Sequence, residues 1–498
     1  MSLTFNLIDE PWIPVADKGR VSLRQVFTEP DLRALGGNPV EKIALMKLLL
    51  AIAQAAATPE DEDAWRAMGA DGLAAKCMAY LDQWHDRFDL YGERPFLQMP
   101  AIDAAECKSY GTVQLEVATG NTTVLNGGQL ERVLTDADKA VLLVCQMGFA
   151  LGGKKTDNSV VLSADYAGKR NDKGKASTGK PGPSVAHMGL LHTFLLGDCL
   201  CQSLWLNLLT REQIEQSQRF PMGVGTALWE QMPTGEDDVT ARALKQSFLG
   251  RLVPLCRFCL LTEDGLHYSE GIVHPGYKDG MCDPTVAVNW SGKEPKALWV
   301  NPEKRPWREL TALLGFLAQQ QSSGFECMQL ATSVDRACEC VDVFGIWSGG
   351  LRVSSNAGEQ YASGTDDFVE SNITLHSAAL GDLWFVQLQT EMAALDELAK
   401  GLYGRVLGYF KAQLVDGGDL AAQSAHLFWQ LCERDFQSLL DHCEQGEANA
   451  KTRVQLRRRF AGYAQQAYDR HCPKDTARQL DAWARCRPNH GKYLQQEA

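Results

Sequence analysis

From Leu388 onward the chain carries an apolar repeat that leaves little choice of fold. Leu388, Met392, Leu395, Leu398, Leu402, Val406, Tyr409 and Leu414 recur mostly at three- and four-residue steps. That spacing puts them on one face of an amphipathic helix of about 28 residues. Asp416-Gly-Gly-Asp is a turn, and helical patterns follow over 420–443, 447–471 and 475–486. Four helices with short connections predict an antiparallel four-helix bundle over 379–498. The domain boundary is expected near 378.

The rest of the chain, 1–378, reads as a larger mixed α/β domain, which makes the whole an α+β protein. Phe5 to Val15 predicts a short strand interrupted by two prolines. Ile43, Leu45, Met46, Leu49, Leu50 and Ile52 predict a helix over 40–56, and a second is expected over 62–86. A third runs from Asp136 to Leu151 and ends at Gly152-Gly153. Lys154 to Lys180 holds seven Lys or Arg against three Asp, followed by Pro-Gly-Pro. It reads as a long basic loop. A long apolar helix is expected over 184–209, and strands over 250–300 and 340–376.

Composition narrows the function. The net charge is −13, the wrong sign for coating nucleic acid by bulk charge, so any DNA binding must be focal or shared with other subunits. The fifteen cysteines lack regular spacing and sit in apolar runs, as Cys145, Cys199, Cys432 and Cys443 do. They predict reduced, buried thiols rather than a disulfide framework. With no long apolar span and no signal-like start, a cytoplasmic protein is expected.

Catalytic motifs fail on particular residues. Gly174-Lys-Ala-Ser-Thr-Gly-Lys180 approaches a phosphate-binding loop, but Pro181 stands where a hydroxyl must hold magnesium. Cys256-Arg-Phe-Cys259 offers two zinc ligands where a structural site needs four, and its apolar setting predicts a strand with buried thiols. His187 and His192 lie five apart, too far round a helix to chelate. Asp366-Asp367 reads as a solvated turn, although a metal-dependent nuclease would use such a pair. No cofactor, metal or catalytic residue is expected.

Four blocks in order resemble the large subunits of the type I-E CRISPR surveillance complex, Cascade. They are Leu7 to Val15, Ala118 to Gly128, Gly152-Gly153 with the basic loop after it, and Gly349 to Ser363. The resemblance implies a subunit without catalysis. Such a subunit reads the short PAM of duplex DNA from the minor groove, starts strand separation and helps recruit a helicase-nuclease. It further implies docking on the guide-RNA assembly through Thr119, Asn121, Thr122 and Asn126. Backbone at Gly152 and Gly153 would approach the groove floor where side chains are absent. Lys154 and Lys155 would grip flanking phosphates. Lys169, Arg170, Lys173, Lys175 and Lys180 would contact strands.

The 349–363 hairpin resembles a wedge that unstacks the duplex beside the PAM. Arg352, Asn356 and Ala357 would lie near the groove. The family pattern is an Asn-Gln pair at the tip; this chain has Asn356-Ala-Gly-Glu-Gln360, which leaves Asn356 and Gln360 as alternative wedges. Lys278 is the candidate for the groove-reading lysine. Lys451, Arg453, Arg457, Arg458 and Arg459 form a basic cluster on a bundle helix, with Arg457 and Arg458 as candidate strand contacts. A solvated helix face would carry the same pattern. The implied partners are guide-bound backbone subunits, small subunits, double-stranded target DNA and the helicase-nuclease.

Overall fold

The computed structural model describes residues 4–115, 133–150, 157, 160–164, 166, 189–281, 283–317, 324–353 and 368–495. It divides into two compact units, one of residues 1–307 with 324–372, the other of 308–323 with 373–498.

The first unit is built on α1 (Pro39–Ala57), α2 (Glu62–Gln83) and α3 (Asp136–Phe149). Helix α1 starts on a reciprocal cap: Asn38 accepts from the Glu41 N–H at 3.0 Å, and Glu41 accepts from the Asn38 N–H at 2.9 Å. It is apolar all round rather than on one face, so it runs through the interior, packed on α2, α3 and a strand. Helix α3 ends at Phe149, two residues before the expected Leu151.

A hairpin, β1 (Ile13–Val15) with β2 (Gly19–Val21), opens the chain. Among the described residues three three-stranded sheets follow. One orders β3 (Cys107–Ser109), β6 (Gly265–Glu270) and β5 (Arg257–Leu261). Another orders β11 (Phe368–His376), β10 (Val343–Leu351) and β4 (His192–Leu196). The smallest orders β8 (Lys296–Ala297), β7 (Val288–Asn289) and β9 (Phe325–Glu326).

The long helix expected over 184–209 is corrected. Within its described part, His192–Leu196 is strand β4 and only Leu200–Asn207 is helix, α4. Gly197-Asp198 separates them, and Cys199 caps the new helix. A fully buried strand and a buried helix segment are equally apolar, so periodicity does not tell them apart. Pairing with β10, residue for residue from His192↔Gly349 to Leu196↔Gly345, decides it.

The second unit contains α5 (Asp382–Ala412), α6 (Gly418–Asp441), α7 (Glu447–His471) and α8 (Ala477–Cys486). Trp384 at the start of α5 donates to Leu440 O near the end of α6 at 3.0 Å, so these two run antiparallel. Arg459 on α7 meets Asp435 on α6 at 2.8 Å, and Tyr468 donates to Trp483 O on α8 at 3.0 Å. The division between units falls at 372/373 rather than near 378, and residues 308–323 join the bundle unit. Arg308 explains part of this, because its guanidinium lies 3.8 Å over the Trp429 ring and reaches Asp396 at 3.6 Å.

Candidate nucleic-acid interface

The loop expected to approach the groove leaves from a rigid base. Phe149, the last residue of α3, lies edge-on to His192 at 5.4 Å, and Lys47 Nζ is 5.8 Å from its ring centre. Lys47 pairs with Asp283, both buried. The other Asp283 oxygen accepts from the Thr285 N–H at 3.0 Å and hydroxyl at 2.7 Å. The Thr285 hydroxyl lies 2.8 Å from His192 Nδ1. Buried charge is tolerated only when paired and hydrogen-bonded, and this chain of contacts meets that condition for Asp283. Burial opposes its charge, but the Lys47 ammonium together with the hydrogen bonds from Lys47 and Thr285 helps to hold the carboxyl below its ordinary range. Gly152, Gly153, Lys154 and Lys155 lie outside the described residues, as do Lys169, Arg170, Lys173, Lys175 and Lys180.

Burial pushes His192 down to about 3, and likewise His274, whose Nε2 sits 2.5 Å from Pro254 O. Both are neutral in the folded chain at neutral pH. Because their folded pKa lies below the unfolded 6.5, the unfolded chain binds more protons on acidification. The stability they contribute is complete above about 6.5 and is lost as pH falls from there toward 3. We therefore expect the melting temperature to fall steadily between pH 7 and pH 4, and to fall less in a His192→Gln variant. Calorimetry across that range checks this; a flat profile refutes it.

The segment expected to form the 349–363 hairpin starts in β10 and precedes β11, neighbours in one sheet. Its base is tied down: Glu370 accepts from Trp347 Nε1 at 2.8 Å and pairs with Lys42 of α1 at 2.7 Å. Gly349 is required there, since a Cβ would meet Val369 O at 2.9 Å. Arg352 is half-buried just beyond β10. Asn356, Ala357 and Gln360 lie outside the described residues, as do Asp366 and Asp367 and the docking residues Thr119, Asn121, Thr122 and Asn126. Lys278 sits on a single 3-10 turn, Tyr277–Asp279, with its side chain 59% exposed and Nζ 3.6 Å from Glu294.

The basic cluster of α7 is corrected in part. Arg457 is not a surface cation. It is 2% exposed and grips Glu391 of α5 with two bonds, Nε to Oε2 at 2.9 Å and Nη2 to Oε1 at 2.7 Å. Arg453 is buried too, donating from Nη1 to His442 O at 2.6 Å and Glu444 O at 3.2 Å, just past the end of α6. Both share the helix face of Leu456 and Phe460. The signal was present in the sequence: Glu391 lies inside the stripe of Leu388, Met392 and Leu395, and a carboxylate buried there needs a cation. Lys451, Arg458 and Arg459 are exposed. Lys451 pairs with Glu447 at 2.6 Å, and Arg459 with Asp435.

Cys256 and Cys259 are buried at strand β5, and burial pushes both thiols up to about 12. With no metal bound they are protonated thiols at neutral pH. Among the described residues no group of three or more His, Cys, Asp or Glu is placed to hold a metal. Nor does any described helix have the length and apolarity to cross a membrane.

The model of the CRISPR-associated protein Cse1 family matches residues 6–467. This chain belongs to that family. Cse1, or CasA, is the large-subunit family of type I-E Cascade. A relative, the CRISPR-associated protein CasA/Cse1 of Thermus thermophilus, is 29% identical over 336 residues. That match covers 62% of this chain and 60% of the relative's length. Among solved structures, Thermus thermophilus CasA superposes with a TM-score of 0.74 at 21% identity, covering 99% of both chains. Thermobifida fusca Cse1 gives 0.74 at 20% identity, again over 99% of both. A chain of a CRISPR RNA-guided surveillance complex gives 0.60 at 16% identity, over 94% of this chain and 98% of that one. The α+β architecture with a C-terminal helical bundle is therefore the family's fold.

Proposed function

We propose that this chain is the non-catalytic large subunit of an RNA-guided surveillance complex. It reads the PAM of double-stranded DNA through the minor groove, starts strand separation, and helps recruit the helicase-nuclease. Family membership over residues 6–467 is the observation that carries the reading. Three local features support it. The Gly152-Gly153 loop follows a helix whose end packs on a buried charged network. Strands β10 and β11, which flank the proposed wedge, are neighbours in one sheet anchored by Glu370. Lys278 stands exposed on a tight turn. Guide pairing reads the rest of the target, so a few focal cations suffice despite the acidic total.

Photo-crosslinking tests this directly. A crosslinker at Lys154 in the assembled complex should label nucleotides flanking the PAM of a bound duplex. A pure scaffold would give no DNA adduct. The nuclease alternative, with Asp366 and Asp367 as metal ligands, is tested by incubating the purified chain with labelled DNA and magnesium or manganese. We expect intact DNA; cleavage abolished by Asp366→Ala would replace our reading.

A further inference from the structure

The turn that carries Lys278 is anchored at three points, none of them the lysine. Tyr277 buries its ring with Leu190, Val286, Val288 and Ala297. Arg251, fully buried, donates from Nη1 to Pro275 O at 3.0 Å. Beyond the lysine, Arg219 donates from Nη1 to Gly280 O at 3.4 Å. The turn closes on itself as well: Asp279 accepts from the Gly276 N–H at 2.8 Å, and Gly280 takes φ +86°, a left-handed conformation suited to glycine.

Arg219 is itself held in place. Its guanidinium lies 4.0 Å from the centre of the Trp290 ring, and Trp290 packs against the same apolar cluster as Tyr277. The residue before it, Gln218, has φ +54°, a strained conformation that persists only where its surroundings impose it. Only a planar guanidinium stacks on a ring and donates sideways to a carbonyl at once; an ammonium does not. The ion pair between Lys278 and Glu294 joins two exposed groups, 59% and 78%, and does not account for so firm a mounting.

We infer that Arg219 is a positioning residue for Lys278. It clamps the turn to the β7–β8 hairpin so that the lysine meets an anionic duplex with its backbone already ordered. Ordering before contact lowers the entropic cost of binding. The inference rests on the reading of Lys278 as a DNA contact, and the test separates the two.

The test is a double-mutant cycle on the assembled complex, read as the affinity for a duplex target. Lys278→Ala should weaken binding about tenfold. Arg219→Ala should weaken it about fivefold, and in the Lys278→Ala background it should add nothing. Arg219→Lys should behave like Arg219→Ala, since it keeps charge but loses the stack. Trp290→Ala, which removes the other side of the stack, should give the same loss with the same dependence on Lys278. If Lys278→Ala leaves affinity unchanged, the reading of Lys278 fails. If Lys278→Ala weakens binding but Arg219→Ala does not, the inference fails alone. It also fails if Arg219→Ala adds independently, or if Arg219→Lys restores affinity, because Arg219 is then a cation in its own right.

Discussion

Replacing Glu391 with alanine should loosen the helical bundle severely. Glu391 is 1% exposed and is the shared partner of Arg457, at 2.7 Å, and Arg453, at 3.9 Å. Removing it strands two guanidiniums in the interior, a loss of about 3–5 kcal/mol. Arg453 retains the carbonyls beyond α6, so most of the penalty falls on Arg457. Hydrogen exchange of the core amides of α5 and α7 should accelerate by on the order of a hundred- to a thousandfold. Replacing Glu391 and Arg457 together by leucine removes both charges and should recover most of the protection. A loss below about 1 kcal/mol in the single variant would mean the pair is solvated rather than buried.

The second large effect lies in the basic loop. Lys154→Glu with Lys155→Glu, combined with Gln360→Ala, should weaken duplex binding by the assembled complex by about a hundredfold or more. Two lost phosphate contacts also reduce the slope of log affinity against log salt by about 2. Bulk charge would not give that change in slope, because the chain as a whole is acidic. A gel-shift titration at several salt concentrations reads both quantities. Unchanged affinity and slope would remove these residues from the interface.

The bundle was legible because each of its helices shows one apolar face. The pattern over 447–471 coincides with the helix Glu447–His471, and 420–443 with Gly418–Asp441 to within two residues. The same rule failed where both faces are buried. His192–Leu196 is as apolar as a core helix, and only its pairing with β10 identifies it as a strand. The cluster on α7 failed for a different reason. A count of cations does not say which way they face, and Arg453 and Arg457, four residues apart, turn inward beside Leu456. Lys278 was legible only through resemblance. Its mounting by Arg219 and Arg251 joins residues far apart in the chain, which spacing does not register.

The proposed function requires this subunit to act on duplex DNA before guide pairing begins. The direct measurement compares two targets with the same guide-matched sequence, one a duplex bearing the PAM and one already single-stranded. Each is titrated against the complex assembled with and without this chain. Omitting the chain should abolish tight binding of the duplex and leave the single strand bound with nearly unchanged affinity, since base pairing alone supplies that specificity. An equal loss on both targets, or no loss on the duplex, would contradict the account.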